Sequence, residues 1–206
     1  MASGHDSDDE SEQDEDGLSP FAIFVLLEGA LAPFSLLLGW LLGLNPLATF
    51  SWSEKAALDG LIATLPMLVL LALTLRWPVG PLARIKEFFD RELAPVLRDC
   101  DWTDLALISI AAGVGEEMLF RGIIQGGIDR LFGPIAGVVG ASVLFGLLHP
   151  VSFTYIVLAG GLGVYIGVFW MISGNLLSVI IAHALYDFIA LLVLLNMDRR
   201  NAEDSD

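Results

Sequence analysis

Hydrophobic residues in this chain occur in runs long enough to cross a membrane. A transmembrane helix needs about 20 mostly apolar residues, within a range of about 17 to 25. Six segments fit or approach this length, namely residues 21–44, 56–75, 103–125, 134–149, 154–172 and 176–196. The fourth is short for a span, at 16 residues, and Pro150 follows it. The pattern predicts an all-α, polytopic bundle of about six transmembrane helices.

A different pattern separates the second and third predicted spans. Apolar residues recur there at spacings of three and four, which predicts one apolar stripe on a helix, formed by Leu82, Ile85, Phe89, Leu93 and Val96. Charged residues occupy the opposite side of this helix. We expect an amphipathic helix that lies in the membrane interface. A solvated connector packed on the protein is the alternative.

Composition and charge support a membrane protein with an acidic tail. Of the 206 residues, 55% are hydrophobic, and the mean hydropathy of +0.71 is too high for an ordinary soluble domain. The net charge of −15 is concentrated in residues 1–19, which contain no Lys or Arg and are expected to be disordered. The single cysteine, Cys100, excludes a disulfide framework and a thiolate zinc cluster. The few basic residues argue against nucleic acid as a partner.

These boundaries divide the chain into four parts. Residues 1–19 form the acidic tail, and residues 20–102 hold two spans and the amphipathic helix. Residues 103–196 form a core of four spans, and residues 197–206 form a short C-terminal tail.

The basic residues predict how the chain crosses the bilayer. With six spans, both termini lie on one side, which carries seven of the loop cations, Arg76, Arg84, Lys86, Arg91, Arg98, Arg199 and Arg200. The other side carries only Lys55 and Arg130. The positive-inside rule therefore places both termini in the cytoplasm, and we expect the plasma membrane of a prokaryote.

Ionisable residues inside the predicted spans are the candidate functional groups. Such groups cost a few kcal/mol each to insert, and they usually face the interior of a bundle. Eight fall within the spans: Glu28, Asp59, Glu116, Glu117, Arg121, His149, His183 and Asp187. Glu28 and Asp59 are isolated in sequence, so a structural or snorkelling role is favoured for both.

The third predicted span carries three charges within six residues. Glu117 and Arg121 stand four apart, share a helix face and can form an ion pair that offsets the cost of burial. Glu116 is rotated by about 100° from Glu117, so the same ion pair cannot readily satisfy it. Glu116 is therefore the candidate for acid–base chemistry and Glu117–Arg121 the structural pair. The alternative is one structural ion network of all three residues.

Two histidines on later spans complete the set of candidates. His149 ends the fourth span, with Phe145 one turn before it as a possible wall for its imidazole ring. His183 and Asp187 stand four apart, so the carboxylate can orient the ring. The structural alternatives are that His149 is an ordinary helix-end residue and that His183 and Asp187 form a polar clamp between helices.

The predicted depths of these residues do not agree. At about 1.5 Å per residue, Glu116 lies about 12 Å and His183 about 10 Å below the outer face. His149, counted from the start of its own span, lies about 22 Å deep. The lean of helical side chains toward the N-terminus reduces the mismatch, so convergence is permitted.

The order of these motifs resembles that of the CPBP intramembrane proteases, which include type II CAAX prenyl endopeptidases and bacterial Abi-type and bacteriocin-processing proteins. The resemblance covers about residues 103–196. It implies that Glu116 and His149 activate a water for peptide hydrolysis, and that His183 and Asp187 stabilise the oxyanion. The well-understood CAAX proteases carry Asn at the last position, so Asp187 departs from that subgroup. An ionised aspartate cannot donate to an oxyanion, and it must be protonated or orient His183 instead.

The resemblance leaves the cofactor and the substrate open. A zinc site formed by Glu116, His149 and His183 is the alternative to a metal-free, glutamate-activated water, which we favour because the sequence lacks the HExxH pattern. The implied partners are the lipid bilayer and a membrane-associated protein or peptide, prenylated in the CAAX branch. A non-enzymatic immunity or scaffold protein of the same family is the rival interpretation, and a small transporter or proton relay is a further one.

Overall fold

The computed structural model describes residues 18–203. Within this range the chain forms α-helices without strands, which confirms the predicted all-α fold. The helices are α1 (Pro20–Leu42), α2 (Glu54–Arg76), α3 (Ala83–Phe88), α4 (Ala94–Leu97), α5 (Trp102–Glu117), α6 (Gly126–Phe132), α7 (Pro134–Leu147), α8 (Phe153–Ser173) and α9 (Leu176–Glu203). Most of the predicted acidic tail, residues 1–17, and the last three residues of the chain lie outside the described residues.

Among residues 18–203, four helices are long and apolar enough to cross a membrane, namely α1, α2, α8 and α9. The third predicted span appears as α5, a π-helical segment over Met118–Gln125, and α6, which follow one another without a break. The fourth appears as α7, which has 14 residues. The protein is an integral membrane protein, and the count of six spans stays a prediction.

Side-chain caps and left-handed glycines mark where the long helices begin and end. Ser53 and Ser152 accept hydrogen bonds from the first turns of α2 and α8. Asp101 forms a capping box with Asp104 at the start of α5. Gly43 and Gly174 follow α1 and α8 with φ of 66° and 64°, a conformation that favours glycine. The connections between these helices are consequently short and defined.

Helix α5 packs between α1 and α9, and glycines allow the three helices to approach closely. A Cβ atom at Gly115 would lie 2.3 Å from the backbone oxygen of Glu28 on α1. On the other side, a Cβ atom at Gly113 would lie 2.8 Å from Cβ of Ala184 on α9. Small residues permit this backbone contact between membrane helices. The contact places the charged end of α5 directly between α1 and α9.

The amphipathic helix packs on the protein through its apolar side. Phe89 and Leu97 are buried against Leu195 of α9 and against the start of α5. A π-helical turn over Phe89–Leu93 joins α3 to α4 and adds a residue to the helical repeat. The buried stripe therefore continues at Leu97, and Val96, which the sequence pattern had assigned to it, is 41% exposed. A position of this helix in the membrane interface stays a prediction.

A polar contact ties the α1–α2 connection to the turn before α9. Asn175 Nδ2 donates to the backbone oxygen of Ser51 at 2.8 Å, and Asn175 Oδ1 accepts from the Ser51 N–H at 3.2 Å. Nearby, Trp170 Nε1 donates to Thr49 Oγ1 at 3.0 Å. The buried amide of Asn175 therefore satisfies backbone groups of a segment more than 100 residues away.

Replacing Asn175 with Ala is expected to lower the free energy of unfolding by about 1–3 kcal/mol, because the hydrogen bonds between its buried amide and the Ser51 backbone are lost. Thermal unfolding of the purified protein in detergent measures the loss. Asn45 is exposed and makes only a local bond to Leu47 N, so Asn45→Ala is the matched control with a smaller effect. Equal effects of the two substitutions would contradict this assignment.

Candidate active site

The charged segment of α5 is buried at the centre of the bundle. Glu117 and Arg121 side chains are both 0% exposed, and Arg121 Nε lies 3.0 Å from Glu117 Oε2. Glu116, the adjacent carboxylate, is also buried and points to a different set of neighbours. The rotation between Glu116 and Glu117 therefore separates their partners, as the helical repeat predicts.

The π-helical segment begins directly after these two glutamates. Its backbone uses wider i→i+5 turns, which are rare and occur frequently at functional sites. Gly122, in the middle of the segment, contacts the α1–α2 connection so closely that a Cβ atom would lie 2.4 Å from the Pro46 oxygen. The sequence gives no signal for the wide turn, because hydrophobic periodicity does not resolve one extra residue in a nearly uniformly apolar segment.

His183 is held between carboxylates from two helices. Its Nδ1 lies 2.7 Å from Glu117 Oε1, and since a carboxylate only accepts, Nδ1 donates this hydrogen bond. Its Nε2 lies 3.4 Å from Asp187 Oδ2, one helical turn further along α9. The spacing in sequence pointed to Asp187 as the residue that orients the ring. The shortest contact is instead to Glu117, so the Glu117–Arg121 pair also fixes His183.

His149 is oriented by the backbone just past the end of α7. Its Nδ1 lies 2.8 Å from the Phe145 backbone oxygen, so Nδ1 carries the donated hydrogen and Nε2 is the acceptor. The Phe145 ring lies 4.6 Å from the His149 ring and 6.1 Å from the His183 ring, measured between centroids. Arg121 Cζ stands 5.7 Å from the centroid of the same phenyl ring. Phe145 therefore forms a common wall between the two histidines and the buried arginine.

Glu116 brings the two histidines together. Its Oε1 lies 4.0 Å from His149 Nε2, and its Oε2 lies 3.8 Å from His183 Nε2. The three residues that sequence analysis placed on separate spans thus face one another. Asp187 joins them through His183, and Phe145 stands beside them.

The mismatch in predicted depth disappears because the helices do not start at one level. The third helical stretch continues through α6 to Phe132, well beyond the predicted end at Gln125. Counted from Phe132, Glu116 lies about 24 Å deep, close to the value of about 22 Å for His149. The turn before α9 is tied to the α1–α2 connection, which lies at the level of Gly122. From that level, Glu116 and His183 both lie about 10 Å down.

These side chains line a cavity of about 320 Å³. Glu116, His149, His183 and Asp187 form its polar part, and apolar side chains, mainly from α2, α8, α9 and the amphipathic helix, form most of the remainder. Glu28 of α1 also lines it. The sequence predicts a structural or snorkelling role for Glu28, because the residue has no partner at helical spacing. The only sign in the sequence that Glu28 lines a cavity is that it is a charged residue within an apolar helix.

The donor set does not fit a zinc ion. In a tetrahedral site with ligands about 2.0–2.1 Å from the metal, donor atoms lie about 3.3 Å apart, closer than Glu116 is to either histidine. Among the side chains of residues 18–200, no group of three or more His, Cys, Asp or Glu is arranged to hold a metal ion. The metal-free mechanism, which the sequence favours over the zinc alternative, stays a proposal.

These features define a polytopic helical membrane protein with a cavity lined by acid–base residues. Residues 99–189 match the family model described as type II CAAX prenyl endopeptidase Rce1-like, which confirms the resemblance seen in the sequence. The family implies a CAAX-type intramembrane protease that acts on protein or peptide substrates. The match includes the site residues from Glu116 to Asp187 and leaves α1 and α2 outside it. No curated protein and no solved structure matches the chain.

Replacing Arg121 with Leu is expected to lower the free energy of unfolding by about 3–5 kcal/mol, because Glu117 would remain buried without its compensating cation. Thermal unfolding in detergent, together with the yield of folded protein, measures the effect. Arg130 is exposed on α6, so Arg130→Leu controls for the loss of an arginine. An unaltered melting profile for Arg121→Leu would show that the pair does not stabilise the fold.

Proposed function

We propose that the protein is an intramembrane endopeptidase in which Glu116 activates a water for peptide hydrolysis. The observation that carries this proposal is the position of the Glu116 carboxylate between the Nε2 atoms of two histidines, at 4.0 Å and 3.8 Å. These separations are too long for direct hydrogen bonds. They are short enough for a single water to bridge Glu116 and His149.

Glu116 and His149 divide the task of activating this water. The water donates one hydrogen to Glu116 and the other to His149 Nε2, which is free to accept because Nδ1 donates to the Phe145 oxygen. Glu116 removes the first proton as the water oxygen attacks the carbonyl carbon of the substrate. The tetrahedral intermediate then collapses, the C–N bond breaks, and Glu116 returns the proton to the leaving nitrogen.

His183 is the donor for the oxyanion of this intermediate. Its Nδ1 is committed to Glu117, so Nε2 is the nitrogen that faces the cavity beside Glu116. Donation from both nitrogens requires a cationic ring, and the carboxylates of Glu117 and Asp187 offset that charge. Asp187 Oδ2 lies 3.4 Å from the same Nε2 and is a positioning residue, which holds this N–H until the oxyanion takes its place as the acceptor. This role accounts for an aspartate where the well-understood CAAX proteases have Asn.

The apolar part of the cavity fits a substrate that carries a hydrophobic group near the scissile bond. Leu70, Leu71 and Leu75 of α2 and Ile85 and Phe88 of the amphipathic helix lie on this side. A hydrophobic cavity with a few convergent polar groups is the usual form of a ligand site. The specific proposal is a prenylated C-terminal peptide, which the protein would receive from the cytoplasmic side.

Replacing Glu116 with Gln is expected to reduce cleavage by about 10²–10⁴-fold, because the amide cannot accept the proton of the water. Comparative proteomics of membranes with the native and Glu116→Gln proteins identifies the cleavage product that is lost. Purified protein in liposomes is then tested with internally quenched peptides, farnesylated and unmodified. Glu92→Gln, at an exposed position of the amphipathic helix, is the control for the substitution.

Retained cleavage by Glu116→Gln would refute the assignment of the general base. If the biological phenotype survives both Glu116→Gln and His149→Ala, the chain acts as a non-enzymatic member of the family. Cleavage of the farnesylated peptide alone would support the prenylated substrate, and equal cleavage of both peptides would refute it.

Cleavage is expected to continue after exhaustive dialysis against EDTA and an added zinc chelator, because the activated water needs no metal in this mechanism. The rate at which the protein in liposomes cleaves the internally quenched peptide measures this directly. The control is the same protein dialysed without chelator. Loss of the rate on chelation, with recovery on adding zinc, would contradict the metal-free proposal.

A further inference from the structure

Glu28 approaches the active centre from a helix outside the family match. Helix α1 contacts α5 backbone to backbone at this point, since a Cβ atom at Gly115 would lie 2.3 Å from the Glu28 oxygen. The contact falls on the residue directly before Glu116. The half-buried Glu28 side chain lines the cavity together with Glu116, His183 and Asp187.

The environment of Glu28 does not explain the residue as a structural charge. Glu28 lies on a helix with many exposed leucines, where an ionisable side chain is costly and is usually paired or functional. Among the described residues, no lysine or arginine forms an ion pair with it. By contrast, Asp59 pairs with Lys55 at the start of α2 and lies away from the cavity.

Glu116 has a buried acceptor that needs a donor. Its Oε2 is without a hydrogen-bond partner among the described residues. An acceptor that is buried and unpaired is costly, and it also leaves the orientation of a carboxylate undefined. A protonated carboxyl group provides one O–H donor, and two neighbouring carboxyl groups in apolar surroundings favour a state in which one of them keeps its proton.

We propose that Glu28 is a further positioning residue of the catalytic centre, whose carboxyl group shares one hydrogen-bonded proton with Glu116. This inference rests on the proposed function of Glu116. The hydrogen bond holds the Glu116 carboxylate in the plane that faces His149 and His183. Helix α1 is thus part of the active centre, and the four-span core alone is incomplete.

Glu28→Gln and Glu28→Leu test this inference in purified protein in liposomes, with the quenched peptide that the native protein cleaves. Gln keeps an N–H donor, so kcat is expected to stay within about threefold of native. Leu has no donor and leaves Glu116 misplaced, so kcat is expected to fall by about 10- to 100-fold. KM is expected to stay within about twofold, because uniform substrate binding is unaffected. Asp59→Leu removes a carboxylate that does not line the cavity and is expected to leave both constants unchanged.

The outcomes separate this inference from the proposed function. An active Glu116→Gln protein refutes the proposed function itself. An inactive Glu116→Gln protein together with a native kcat for Glu28→Leu refutes only the role of Glu28. A loss of kcat in Glu28→Gln as large as in Glu28→Leu refutes the hydrogen bond between Glu28 and Glu116, provided that both variants show native thermal unfolding.

A second measurement needs no substrate. Infrared spectra of the proteoliposomes are expected to contain the C=O stretching band of a protonated carboxyl group that is lost in Glu28→Gln. The Asp59→Leu protein is expected to keep this band. A spectrum in which no protonated-carboxyl band is lost on Glu28→Gln would overturn the proposal.

Discussion

The buried contact between Arg121 and Glu117 is the interaction on which the centre depends. Two fully buried opposite charges stand 3.0 Å apart, and each would be costly inside the bundle without the other. Glu117 also accepts from His183, so the orientation of a ring on α9 depends on a cation on the π-helical segment. Arg121 in turn stands over Phe145, which walls His149. Helices α5, α7 and α9 are therefore coupled through a single guanidinium group.

Much of the helical layout could be predicted from the sequence, because hydrophobic length is a strong signal in membrane proteins. The spacing of Glu117 and Arg121 also predicted their contact, since residues four apart share a helix face. The contact of Glu117 with His183 could not be predicted, because it joins helices 66 residues apart in the chain and depends on how they pack. Counting residues misjudged depth, because a uniform rise cannot anticipate that α6 prolongs the third helix to Phe132.

Glu28 shows a different limit of sequence reasoning. The role of a charged residue depends on its neighbours in space. The residues that line the cavity with Glu28 include ones on α5 and α9, far along the chain. The motif spacing that drew attention to the other candidates is a property of single helices. The contact at Gly115 could not be predicted from the sequence, because a glycine in an apolar helix is equally compatible with lipid contact and with helix packing.

The glycine contacts also determine where the bundle is closed to its surroundings. Backbone atoms meet between α1 and α5 at Gly115, and between α7 and α8 at Gly146, where an added Cβ atom would lie 2.5 Å from the Ile156 oxygen. Seams of this kind leave no room for a chain to pass sideways from the lipid. The cavity wall formed by α2 and the amphipathic helix is made instead of long, rotatable side chains such as Leu71 and Phe88. The cavity is thus bounded by fixed backbone seams and, along α2 and the amphipathic helix, by side chains that can rotate, so its shape can adapt to an occupant at that wall.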